Sequence, residues 1–303
     1  MPTAHGQSVS FLIRRFREAG VRLQHRHGQN FLIDLNLQRL IVERAQLGPQ
    51  DVVVEVGTGT GSLTAMTAER AAAVVTVEID PQLYALARDE LSGVPNVTLL
   101  SQDALKNKNH LHPALLDAIA EALAAHPGSR LKLVANLPFS VATPVLSNFL
   151  TAPIVPVSMT ATIQRELAER ITATSGTKDY GALSIWMQAQ CQVEIVRLLP
   201  PTVFWPQPKV TSAIVHIEVD PERRDRIGDL LFFHTFVRSM FFHRRKFLRR
   251  QLQSAVGKEV EAAAVDRLLA EQHLDPQSRA EQLTVEQMIE LSRAAQQLMA
   301  GAH

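Results

Sequence analysis

Four short stretches carry residues whose types and order could do chemistry. EVGTGTGSLT at 55–64 puts Gly57, Gly59 and Gly61 between a β-rich run and a helical pattern. Glycines in such a turn let backbone N–H groups approach a ligand closely, because no Cβ stands in the way. The spacing is GxGxG, with Ser62 where the third glycine of the dinucleotide fingerprint GxGxxG would stand. S-adenosylmethionine, a zwitterion without a pyrophosphate, suits that turn better than a dinucleotide. Glu78 closes the next β-rich run, where a carboxylate can accept from both ribose hydroxyls, and Asp103 follows the third, where it can accept from the adenine amine. Tight packing accounts for the glycines without a ligand, and helix capping accounts for either acid alone. Their succession at three strand ends, where open α/β sheets bind ligands, favours a cofactor site.

The fourth stretch, Asn136-Leu137-Pro138-Phe139, points to the substrate. An aromatic amine is a poor nucleophile because its lone pair is conjugated into the ring. If the Asn136 side-chain oxygen and the Leu137 carbonyl accept both hydrogens of an adenine N6, the nitrogen pyramidalises and no strong base is needed. Pro138 restrains Leu137 to an extended conformation. Phe139 offers a ring face to a flipped-out base, a contact of about 1–3 kcal/mol in single-strand binding. The plainer alternative is an Asx-Pro turn with Phe139 in the core. Its place after the glycine turn and the two acids favours catalysis by positioning and prearranged acceptors.

The elements that must hold these residues are legible in outline. β-rich runs at 52–56, 74–78, 97–100, 131–135 and 157–163 alternate with helical patterns, which predicts an α/β fold with a mostly parallel, Rossmann-like sheet covered on both faces. Asp80 and Pro81 form an N-cap and first helical residue, followed by an apolar face of Leu83, Leu86, Ala87 and Leu91. Four prolines between Leu199 and Ser212 require an extended loop, leading into a β-rich run at 213–219. From 221 onward helical periodicity at 228–240, 244–256, 260–271 and 284–299 predicts a small all-helical domain. The expected division is therefore a catalytic domain over 1–220 and a helical RNA-binding domain over 221–303.

The 303 residues are 46% hydrophobic and 20% charged, the composition of an ordinary globular protein. No apolar run approaches the roughly 18 residues of a membrane-spanning helix, so no membrane role is expected. No secretory leader pattern is evident, and the lone Cys191 excludes a disulfide framework and a CxxC metal site, which together lead to an expectation of a cytoplasmic protein without metal. Charge balances, with 31 Lys and Arg against 30 Asp and Glu, but its distribution does not. Arg14, Arg15, Arg17, Arg22 and Arg26 face one acid, Glu18, and the stretch from Arg238 to Arg250 holds no carboxylate. Such clusters serve either phosphate binding or a solvated helix face.

In order along the chain, HGQNFLID at 27–34, EVGTGTGSLT, VEID at 77–80, SQDAL at 101–105, NLPF and FWPQPKVTSAIV at 204–215 resemble the ribosomal RNA adenine N6-dimethyltransferases. QRELAER at 164–170, YGALSI at 180–185, RRKFLRRQL and RAEQLT extend the resemblance over nearly the whole chain. It implies S-adenosylmethionine contacts at Asn30, Leu32, Gly57, Gly59, Glu78, Asp103 and Asn136, and catalysis at Asn136, Leu137, Pro138 and Phe139. It also implies that Phe204 borders the base pocket opposite Phe139, against the alternative that Phe204 and Trp205 anchor the proline loop. The late RRKFLRRQL and RAEQLT resemble the small-subunit branch, which dimethylates two adjacent adenines near the rRNA 3′ end and takes part in subunit maturation. The partner implied is the RNA of an immature small subunit, bound by a monomer. Arg244, Arg245, Lys246 and Arg249, on a predicted helix held down by Phe241, Phe242, Phe247 and Leu248, are the expected phosphate contacts.

Two departures stand out. The family tetrad is NLPY, so Phe139 lacks a hydroxyl, and the basic residues usual before GQNFL are replaced by Gln24-His25-Arg26-His27. Two rivals remain at this stage: a subunit- or DNA-binding factor with vestigial catalysis, opposed by the intact cofactor set, and a DNA adenine methyltransferase, opposed by the late RAEQLT region.

Overall fold

The computed structural model describes residues 9–18, 20, 29–243 and 245–301. Arg22, Arg26, the Gln24-His25-Arg26-His27 run, Gly28 and Arg244 lie outside the described residues. The strands are β1 (Phe31–Leu32), β2 (Asp51–Val56), β3 (Ala73–Glu78), β4 (Val97–Ser101), β5 (Leu105–Asn107), β6 (His110–Leu111), β7 (Arg130–Asn136), β8 (Ser158–Gln164), β9 (Cys191–Leu199), β10 (Phe204–Trp205) and β11 (Ser212–Val219). The helices are α1 (Val9–Glu18), α2 (Leu35–Arg44), α3 (Ser62–Ala68), α4 (Pro81–Glu90), α5 (Pro113–Ala125), α6 (Ala142–Phe149), α7 (Arg165–Thr172), α8 (Ala182–Gln188), α9 (Pro221–Asp225), α10 (Leu230–Met240), α11 (Leu248–Val256), α12 (Ala262–Glu271) and α13 (Val285–Ala300).

The chain forms two units, one of Met1–Ala168 with Glu194–Glu218, the other of Glu169–Val193 with Val219–His303. In the first, a seven-stranded sheet has the order β4-β3-β2-β7-β8-β11-β9. β4, β3, β2, β7 and β8 run parallel, and β11 returns antiparallel to β8. β2 is buried along its whole length, as a central parallel strand with both faces covered must be. Strand order reverses between β2 and β7, so the turn after β2 and the loop after β7 flank the crevice in which such sheets bind ligands. Asp80 caps α4, its Oδ1 accepting from Gln82 N at 2.9 Å and Leu83 N at 3.3 Å, with Pro81 in the first turn. The edge strand β9 has no counterpart among the expected runs. Glu194 and Arg197 interrupt its apolar residues, and half-exposed edge positions tolerate such charges.

The second unit is drawn differently from the expected division at residue 221, with residues 169–193 grouped with the C-terminal helices. The Tyr180 hydroxyl donates to the Leu283 carbonyl at 3.0 Å, and Trp186 packs on Phe233 of α10 with ring centroids 6.3 Å apart. The expected helix over 244–256 is also shorter than its periodicity suggests, since α11 starts at Leu248. Lys246 N closes a turn onto His243 O at 2.9 Å, and Phe247 is extended at φ −66°, ψ 154°. Arg245 and Lys246 thus lie ahead of α11, in the turn that leads into it.

Candidate active site

The turn after β2 is shaped by two close approaches. Gly57 has φ +87°, and a Cβ there would stand 3.2 Å from Pro138 Cγ and Cδ; Gly59 has φ +57°, and a Cβ there would stand 3.2 Å from Phe31 Cε1. Both the left-handed backbone and the missing side chain are therefore required, and NLPF and β1 press directly on the glycine turn. Glu78 ends β3 with both carboxylate oxygens engaged by backbone: Oε2 accepts from Gly59 N at 2.9 Å and Oε1 from Asp80 N at 3.0 Å. Burial holds its pKa above the usual carboxylate range, with those backbone N–H groups pulling the other way. Each oxygen retains acceptor capacity for a ligand hydroxyl. Asp103 Oδ1 accepts from Leu105 N at 2.9 Å.

Asn136 Nδ2 donates to the Asn30 carbonyl at 2.8 Å. That bond fixes the orientation of the amide and leaves Oδ1 as the group free to serve a target amine. Leu137 N donates to Thr162 O at 3.2 Å, and Val141 N to Pro138 O at 3.0 Å, so the NLPF backbone is tied at both ends. Phe139 is half-buried.

A cavity of about 300 Å³ joins these parts. Asn30, Leu32, Gly57, Gly59, Glu78, Asp103 and Asn136 all line it, as do Leu137, Pro138 and Phe139. Gln102 also lines it, and its Nε2 is buried with no hydrogen-bond partner among the described residues. An orphan donor on the wall calls for an acceptor from a ligand. Carboxylates at two successive strand ends and that donor together match the hydroxyls, amine and ring nitrogens of an adenine nucleoside, so the residues present fit S-adenosylmethionine.

Other residues of this wall escaped the sequence motifs. Gln38 is 4% exposed; its Nε2 donates to Leu32 O at 2.6 Å while its Oε1 accepts from Ser62 Oγ at 2.7 Å, clamping β1 to the start of α3. Glu55 is 1% exposed, and its Oε2 accepts from the Thr64 and Thr76 hydroxyls. Burial pushes its pKa up to about 8, against a smaller downward pull from those hydroxyls, so Glu55 holds a proton at neutral pH. An acid inside VVVEV was the available signal.

The expected RNA contacts fall in two places, Phe204 in the core and the basic residues in and after the turn before α11. Phe204 is 2% exposed, packed in the core with Leu32, Val134 and Ile214, and does not border the cavity. Its strand β10 pairs with β1, Leu32 opposite Phe204 and Phe31 opposite Trp205, so these aromatics anchor the proline loop. Arg249 is engaged in a bidentate pair with Asp266, Nε to Oδ1 at 2.5 Å and Nη2 to Oδ2 at 2.7 Å, and Arg245 and Lys246 are exposed in the turn before α11. Phe242 and Phe247, expected to hold a helix down, are exposed, whereas Leu248 is buried.

Residues 20–297 match the family model described as ribosomal RNA adenine dimethylase. The chain belongs to the ribosomal RNA adenine dimethylase family. Among curated relatives, it is 39% identical over 271 residues to ribosomal RNA small subunit methyltransferase A of Alkaliphilus metalliredigens, covering 88% of this chain and 89% of the relative. It is 38% identical over 281 residues to the protein of that name from Lactiplantibacillus plantarum, covering 92% of each. Among solved structures, a dimethyladenosine transferase from Plasmodium falciparum has a TM-score of 0.67 at 21% identity, over 85% of this chain and 94% of that one. The 23S rRNA methyltransferase ErmE has a TM-score of 0.61 at 25% identity, over 88% and 99%. These structures place the fold of this dimethylase family member with Rossmann-like methyltransferases. Among the described residues no helix is long and apolar enough to cross a membrane, and no cluster of metal-ligating side chains occurs.

Proposed function

We propose that this protein transfers methyl groups from S-adenosylmethionine to N6 of two adjacent adenines in the 3′-terminal hairpin of small-subunit ribosomal RNA. The observation that carries this is the oriented Asn136 amide, beside the Leu137 carbonyl, on the wall of the cavity shared with the glycine turn, Glu78 and Asp103. The relatives named for small-subunit methylation support the choice of RNA.

When bound, the cofactor supplies an electrophilic methyl group on a positively charged sulfur. Glu78 would accept from its ribose hydroxyls and Asp103 from its adenine amine, and Asn30, Leu32, Gly57 and Gly59 would wall it in. Asn136 Oδ1 and the Leu137 carbonyl accept the two hydrogens of the target amine and turn its lone pair outward from the ring plane. Pro138 keeps that carbonyl in place, and Phe139 stacks on the flipped base. Rate enhancement comes from alignment and from acceptors that need no reorganisation during reaction. The second unit supplies RNA-binding surface, with Arg245 and Lys246 as phosphate contacts. The protein acts as a monomer in the cytoplasm on immature small subunits.

The test is transfer of labelled methyl to small subunits lacking the modification, with large subunits and duplex DNA alongside. Label is expected in small-subunit RNA alone, as dimethyladenosine by mass spectrometry of the nucleosides. Asn136→Ala is expected to lower transfer at least about 100-fold, the usual cost of losing one prearranged polar group. Subunit binding without transfer by the unaltered protein would favour a binding factor instead.

A further inference from the structure

Two aromatic side chains of the second unit stand in solvent. Phe242 is 79% exposed and Phe247 50% exposed, both in the turn between α10 and α11. Backbone hydrogen bonds tie the residues that lead into α11. Lys246 N donates to His243 O at 2.9 Å, Leu248 N to Ser278 O at 2.8 Å, and the Leu248 side chain next to Phe247 is fully buried. The His243 ring meets Phe242 edge-on, with centroids 4.8 Å apart. Between the two phenylalanines lie Arg245 and Lys246, both exposed, and no carboxylate occurs from Arg238 to Arg250.

A surface that only gripped phosphates would have no use for exposed rings, and an apolar protein-docking patch would not be studded with cations alone. Rings interleaved with cations suit a partner that is both anionic and rich in flat π-faces, which is unpaired RNA. We propose that Phe242 and Phe247, between α10 and α11, form a stacking site for unpaired bases of ribosomal RNA, each ring facing a base, with Arg245 and Lys246 meeting the flanking phosphates. The site presupposes the ribosomal RNA substrate proposed above.

The test is filter binding of the full chain to small subunits lacking the methylation, titrated with salt over roughly a fourfold concentration range. Phe242→Ala and Phe247→Ala are each expected to weaken binding about fivefold or more at every salt concentration, with the slope of affinity against salt unchanged. Phe242→Trp and Phe247→Trp should keep the affinity, and the Leu variants should not. Methyl transfer by the unaltered chain to the same subunits reports separately on the substrate. Subunits that accept label while both Ala variants bind like the unaltered chain would overturn the stacking site alone; subunits neither bound nor labelled would overturn both. Full affinity in the Leu variants would assign the turn to an apolar protein partner. A shift in sedimentation of the free protein on Phe242→Ala would assign it to a second copy. Either result overturns base stacking.

Discussion

Glu55 is a buried acid that holds its proton to about pH 8, against the ordinary value of 4.5. Between those values the native protein binds more protons than the unfolded chain, so stability must fall as pH rises through that window, at a limiting slope of about 1.4 kcal/mol per pH unit. Glu55→Gln should flatten that slope and leave the protein more stable than the unaltered chain at pH 8, with little difference near pH 4. Chemical denaturation at a series of pH values measures both. Glu78, also raised by burial, adds a slope of the same sign that survives the substitution. At Gly59 a side chain meets the Phe31 ring on a left-handed backbone. Gly59→Ala should destabilise by about 1–3 kcal/mol and weaken S-adenosylmethionine binding at least tenfold, read by thermal unfolding and calorimetry. Gly57, Glu78, Asp103 and Asn136 were legible in the sequence because each sits where a β-rich run stops, a place where polar residues need a reason. Glu55, Gln38 and Gln102 were not, since their roles come from contacts 6 to 24 residues away or from a missing partner.

Among elements, the parallel strands and α4 announced themselves through apolar runs and an N-cap with proline. β1 and β10 could not, because two residues carry no periodicity and their pairing joins positions far apart in the chain. The start of α11 misled for a different reason. Apolar spacing ran through Phe242 and Phe247, but Phe247 is extended and precedes the helix, and spacing alone carries no signal for where the first turn begins. The consequence is measurable in the salt dependence of subunit binding. Arg245→Glu and Lys246→Glu should each reduce its slope, whereas Arg249→Glu should change it less, because Asp266 already holds the Arg249 guanidinium. Equal effects at all three positions would place Arg249 among the phosphate contacts after all.

At the scale of the whole chain, the composition shift at 221 disclosed a helical region, and the α/β rhythm before it disclosed the sheet. Neither disclosed that residues 169–193 leave the first unit, because α8 is as apolar as any helix that covers a sheet. A fragment of residues 1–220 should therefore fold poorly, having lost the Leu283 carbonyl that receives the Tyr180 hydroxyl and the Phe233 ring that packs on Trp186. Loss of cooperative thermal unfolding in that fragment, alongside a cooperative full-length protein, is the expected result. The same interleaving sets a timetable during synthesis. The parallel strands can assemble as soon as they emerge, but α8 must wait, apolar face exposed, until α10 and then α13 have been translated. The nascent protein thus passes through an interval, from the completion of α8 to that of α10, in which that segment lacks its first partner and a chaperone has something to hold.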